Sequence, residues 1–224
     1  EDPENAYEWT LALEDGRELE QPGNIFHWLL ETTLWGTQED HTGARVDFDG
    51  NGVDERGDAL PDAYFWLGIA NSFVDATTQL NTAIEEWEPT LEDSFTALVA
   101  MVPTMGDYFQ EWKGSVYIAG EDPRFVAQSR LVDVKGIATS LSVIYSNVSP
   151  EVASEDPELD EQITAGFEDL LGFLDETYAE ETGGKEFTAE EADLLGEEAQ
   201  AKADSLAALA GQGASVLELV LPTE

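Results

Sequence analysis

The chain contains no cysteine. That excludes a disulfide framework, a thiolate metal site and a thiol nucleophile, and it leaves the redox compartment unread. Basic residues are nearly as scarce: nine Lys and Arg stand against 49 Asp and Glu in 224 residues, a formal net charge of −40. The same deficit excludes nucleic acid and anionic lipid as partners, because both need a basic patch to displace counterions and no segment supplies one. No apolar run approaches the roughly 18 residues that mark a membrane span, and no signal peptide opens the chain. The start at Glu1 reads as a processed or trimmed end, so export stays open.

What the chain does have is core material. Hydrophobic residues make up 42% and aromatics 10%, with six tryptophans. An acid excess that would otherwise read as disorder therefore reads as the surface of a folded body. Only Lys113, Lys135, Lys185 and Lys202 carry an ammonium group, a scarcity that points to a salt-loving source of the haloarchaeal type. At about 1 M salt the Debye length is roughly 3 Å, which screens the self-repulsion. Loss of structure on desalting is the expectation.

Apolar residues recur at three and four spacing almost throughout. The pattern predicts an all-α fold with helices at about 24–36, 60–87, 90–118, 123–147, 157–180 and 188–220, and a short one near 4–14. Thr188 and Glu191 form a capping box, Pro61 suits a first helical turn, and Gly183-Gly184 separates the last two helices. Pro103 removes a backbone donor and should break its segment near Val102. The sequence IAGEDP, Ile118 to Pro123, looks like a sharp connection into a new helix. Helices of these lengths pack as a bundle or as two stacked antiparallel bundles.

Two segments carry candidate metal chemistry. Between the first two long helices, DFDGNGVDERGD repeats acids with the period of a calcium loop. Counting Asp47 as position one, Asp49 and Asn51 fall at three and five, Gly52 at six, Val53 at seven for its carbonyl, Glu55 at nine and Asp58 at twelve. A hard cation demands six to eight oxygens from a tightly curled backbone, and Gly52 permits the curl. The role implied for calcium is structural. The second segment is NIFHWLLETTLWG, Asn24 to Gly36, with Asn24 at the N-cap position. It sets His27 four residues before Glu31, on one helical face, and this mixed nitrogen and oxygen pair suits iron, zinc, copper or manganese rather than calcium. The plain alternative makes Phe26, Leu29, Leu30, Leu34 and Trp35 core, with His27 and Glu31 on its polar border. Trp28, Trp35, Trp66 and Trp112 could line a pocket for a small organic ligand, although tryptophans so spaced are more often core.

The segment IFHWLLETTLWG resembles the G-x-H-x-x-E signature, with its following L-W-G, of the imelysin-like family, which includes the extracytoplasmic EfeO-type component of bacterial iron uptake. YIAGEDPRFVAQSRLVDVKGIATSL, Tyr117 to Leu141, is similar to the family's G-E-E-x-R segment and its N-x-x-G helix. The tail from Glu161 to Leu219 follows the family's C-terminal helices in order and spacing. These matches are collinear over most of the chain. The departures are a four-residue spacing from His27 to Glu31 where the family has three, Ala127 and Ser129 near places held by a histidine and an aspartate, and Asp133 in place of an asparagine.

The resemblance implies a single imelysin-like domain of two related bundles, about 1–118 and 119–224, with the acidic loop of 45–62 as an insertion. It implies an extracytoplasmic location, secreted or anchored at the cell surface, and metal capture related to iron uptake, with a membrane-bound transporter or another surface protein as partner. His27, Glu31 and Glu121 are the first ligands to test, and Asp133 the next. The family name includes a peptidase, yet the chain offers no convincing nucleophile and base and no H-E-x-x-H helix, so the expected role is non-catalytic. The competing expectation is a calcium-stabilised surface or interaction module in which the transition-metal site has decayed.

Overall fold

The computed structural model describes residues 8–22, 33, 41–47, 50, 52–54, 58–120 and 129–222. Helix dominates, and the strands are few and short, as the all-α expectation required. The described residues separate into two compact units, one running through Glu88 and the other from Pro89 onward.

The first unit opens with an antiparallel hairpin, β1 (Glu8–Ala12) paired to β2 (Glu18–Pro22) with Leu11 opposite Leu19. This corrects the short helix expected near 4–14. Leu11 and Leu13 both turn inward to a small core with Phe65 and Ile69, a period of two that a helix cannot satisfy. The turn is built on Asp15-Gly16, with Gly16 at φ 90°, a conformation that suits glycine. A second hairpin pairs β3 (Thr42–Arg45) with β4 (Ala59–Pro61). The acidic loop therefore joins two strands rather than two helices. Pro61 ends β4 instead of starting the next helix, and Asp62 takes the N-cap of α1 (Ala63–Glu86), accepting from the Tyr64 and Phe65 amides. The Arg17 guanidinium grips the same carboxylate at 2.9 and 2.8 Å.

The second unit is a helical bundle. α2 (Leu91–Met101) begins at a Thr90–Asp93 capping box, and Pro103 breaks the segment into a 3-10 turn at Val102–Thr104 before α3 (Met105–Lys113). α4 (Arg130–Glu155) and α5 (Pro157–Thr182) meet at one residue, Asp156, which caps the N-terminus of α5 through the Leu159 amide while Pro157 takes the first turn. α4 runs through exposed Pro150, eight residues past its expected end, because Val148 and Val152 continue its buried stripe. α6 (Ala189–Val216) starts at the Thr188–Glu191 capping box anticipated from the sequence. Its buried face is almost all alanine and glycine, including Ala192, Gly196, Ala199, Ala203, Ala210 and Gly213. Small side chains let α6 approach α2, α3 and α5 closely. A two-residue parallel bridge of β5 (Ile118–Ala119) and β6 (Phe187–Thr188) closes one end, and the Phe187 amide also donates to the Tyr117 carbonyl.

Candidate functional site

At the β5–β6 end of the bundle, hydrophobic helices enclose polar groups. Trp112, fully buried on α3, packs its indole edge-on against Phe187 at 4.9 Å and against Phe109 at 5.7 Å. Its Nε1–H then has one direction left, and it donates to Glu181 Oε2 on α5 at 2.6 Å. Glu181 is 4% exposed. Burial raises its carboxyl above the ordinary range, opposed by hydrogen bonds from Ser129 and Trp112 that favour the charged form. Ser129 works in two directions. Its oxygen caps α4 by accepting from the Leu131 amide at 3.1 Å, and its hydroxyl serves Glu181. The Tyr117 phenol is also pushed up, first by burial and then by the Glu181 charge.

One residue further on, Arg130 is 5% exposed and bridges two carboxylates, Glu111 from α3 and Asp133 one turn along α4, the latter at 2.6 Å. Its guanidinium lies 4.8 Å from the Tyr108 ring centre. A buried cation demands such compensation, since desolvation costs several kcal/mol per ion. Glu181 and the Arg130 cluster together tie α3, α4 and α5 to one another. The arrangement spends its carboxylates on fixing helices, with Ser129 committed as a cap.

The expected ligands are distributed as follows. His27, Glu31, Glu121, Asp49, Asn51 and Glu55 lie outside the described residues, as do Trp28 and Trp35. Asp133 is in place on α4, but its Oδ2 already accepts from Arg130, so a metal there would share that oxygen with a guanidinium. In the first unit, Asp47 uses both carboxylate oxygens to curl the loop: Oδ1 accepts from the Gly50 amide at 2.8 Å and Oδ2 from the Gly52 amide at 3.0 Å. Gly50 and Gly52 both have positive φ, 75° and 77°. Val53 is exposed, and Asp58 is buried with its carbonyl accepting from the Val46 amide. Arg45 pairs with Asp54 at 3.3 Å. Among the described residues no three His, Asp or Glu side chains converge as a metal cluster. Trp112 is sealed in the bundle core, which removes it from any open pocket.

The family model described as Imelysin, of the peptidase M75 class, matches residues 27–214. The chain belongs to the imelysin family. No curated protein and no solved structure matches it. The imelysin match opens at His27 and runs through both units, so the hairpin of β1 and β2 precedes it while the acidic loop falls inside it.

Sequence reasoning missed Glu181, which resembles every other acid in the run DETYAEET. A signal was present. Ile163, Phe167, Leu170 and Leu174 advance by four and three along α5, and the same steps continue to Thr177 and Glu181. An acid in phase with a core stripe is an acid inside the bundle.

Proposed function

We propose that this imelysin-family protein captures a transition-metal ion outside the cytoplasm, in the service of iron uptake, and catalyses no reaction. The observation that carries the reading is the family match over residues 27–214, which begins at the histidine singled out by its chemistry. His27 supplies a nitrogen ligand, and Glu31 and Glu121 supply oxygens, a set suited to iron or copper as cargo. Asp133 is the weaker addition, because Arg130 holds it. A membrane-bound transporter or another surface protein is the receiving partner. Isothermal titration in molar KCl with ferrous, ferric and cupric ions tests this. Micromolar or tighter binding that disappears in a His27→Ala, Glu31→Ala variant is the expected result, and an absence of binding by all three ions sinks the proposal.

The loop that follows β3 favours a second reading. Asp47 draws the Gly50 and Gly52 amides around its carboxylate, the curl that a calcium loop requires. On this reading calcium rigidifies the first unit, and the protein serves as an interaction module whose transition-metal site has decayed. Calcium binding that is lost in Asp47→Ala and Asp49→Ala, with no affinity for iron or copper, is the outcome that selects it.

A further inference from the structure

Three elements of the first unit meet at one residue, Asp62. Its carboxylate caps α1 by accepting from the Tyr64 and Phe65 amides at 3.0 Å each, and it accepts again from Arg17 Nη1 and Nη2 at 2.9 and 2.8 Å. Its own amide donates to the His41 carbonyl at 2.7 Å, just ahead of β3. A Cβ on Gly43 would stand 2.6 Å from the Asp62 Cα, so glycine is what lets β3 pass this close. The His41 ring then stacks on Phe65 at 4.6 Å.

A two-stranded hairpin is marginal by itself in water, so β1 and β2 owe their order to docking on α1. The apolar part of that contact is small: Leu11 and Leu13 meet Phe65 and Ile69, and a Cβ on Gly68 would fall 2.4 Å from Leu13 Cδ2. The polar part is Arg17. Asp15 accepts from its Nε at 2.8 Å, and both terminal nitrogens reach Asp62 as a fork.

We infer that Arg17 is a positioning residue for metal capture, clamping the hairpin so that the stretch carrying His27 and Glu31 is held at both boundaries. The inference rests on the capture reading. That stretch, residues 23–40, begins where β2 ends at Pro22 and finishes at His41. One boundary is clamped to Asp62 through Arg17 and the five residues of β2, and the other is bonded to Asp62 directly. Releasing the first boundary gives the chain conformational freedom that must be lost again when its ligands close on an ion. The hairpin precedes the matched span of 27–214, so half of the clamp lies outside it. Charge alone acts in the opposite direction. Removing Arg17 takes a positive charge from a chain of −40 and by Coulomb attraction favours a bound cation. A loss of affinity therefore reports position.

Titration with ferrous, ferric and cupric ions in molar KCl compares the parent chain with Arg17→Ala, Asp62→Asn and the double variant. Asparagine keeps the cap of α1. Each single variant should bind about tenfold more weakly, within the ordinary range of coupling between sites, and the double variant no more weakly than either, because all three lose the same joint. Arg17→Lys keeps the charge without the fork and should recover only part of the affinity. Hydrogen exchange reads the joint without metal: in Arg17→Ala the β1 and β2 amides should lose protection while those of α4, α5 and α6 keep theirs. Unchanged affinity in Arg17→Ala, or unchanged protection of β1 and β2, overturns the inference and leaves capture standing. A parent chain that binds none of the three ions overturns capture, and the positioning role with it.

Discussion

Glu181 shows how one side chain ties local structure to stability. Its carboxylate receives the Trp112 indole and the Ser129 hydroxyl, and the latter also caps α4, so three helices share one acid. Burial outweighs both donors and lifts the carboxyl above its ordinary 4.5. The folded state therefore holds the Glu181 proton more tightly than the unfolded state does. Its contribution is fully present below pH 4.5 and is lost as pH rises through the raised folded value. Glu181→Gln should remove that slope, so thermal melts at pH 4.5 and pH 7 differ less in the variant than in the parent. An unchanged pH profile would show that Glu181 is not the group responsible. Glu181→Ala should be worse at every pH, by about 2–4 kcal/mol, because it opens a cavity and strands two buried donors. Asp62 works in the opposite direction. Arg17 and the α1 amides lower it to about 2, so its stabilisation is present above 3.8 and is lost as pH falls through about 2.

α6 tests packing against propensity within one helix. A Cβ on Gly213 would stand 2.9 Å from the Phe95 ring and 3.4 Å from Ile163 Cδ1, whereas a Cβ on Gly211 meets nothing within 4 Å. Alanine gains about 1 kcal/mol over glycine in a helix. Gly211→Ala should therefore raise stability by about 0.5–1 kcal/mol in denaturant titration. At Gly213 an aromatic ring must move, and overpacking of about 1–3 kcal/mol cancels or exceeds the gain. Equal shifts at both sites would mean that α6 does not sit as close as its small residues suggest. α6 was also the most legible element in the sequence, since its capping box and apolar period agree. So was the break at Pro103, which rests on a missing amide. The hairpin of β1 and β2 was not legible by helical period, because four apolar residues in a short window satisfy both periods. Asp15-Gly16 between the two runs was the deciding signal. The buried carboxylate was hidden by composition: with 49 acids in the chain, only position in a core stripe distinguishes Glu181 from its solvated neighbours.

Across the whole molecule, the sign of the salt effect follows from a count. Seven of the nine basic residues are described, Arg17, Arg45, Lys113, Arg130, Lys135, Lys185 and Lys202, and each forms an ion pair with an acid. Salt weakens those attractions, but exposed pairs are worth only about 0–1 kcal/mol each. It also weakens repulsion among 49 acids, which is the larger sum. Stability should therefore rise with KCl. Most of the gain should come below about 1 M, where the Debye length falls from roughly 30 Å at 0.01 M to roughly 3 Å. A melting temperature that climbs evenly to saturation without such early curvature would instead indicate a solvent-exclusion effect on apolar burial. Protons provide an independent check. Lowering the pH at low salt toward the isoelectric region near 4.1 neutralises the same acids, so acidification to about pH 5 should recover part of the stability that desalting removes. If it recovers none, repulsion is not what desalting exposes.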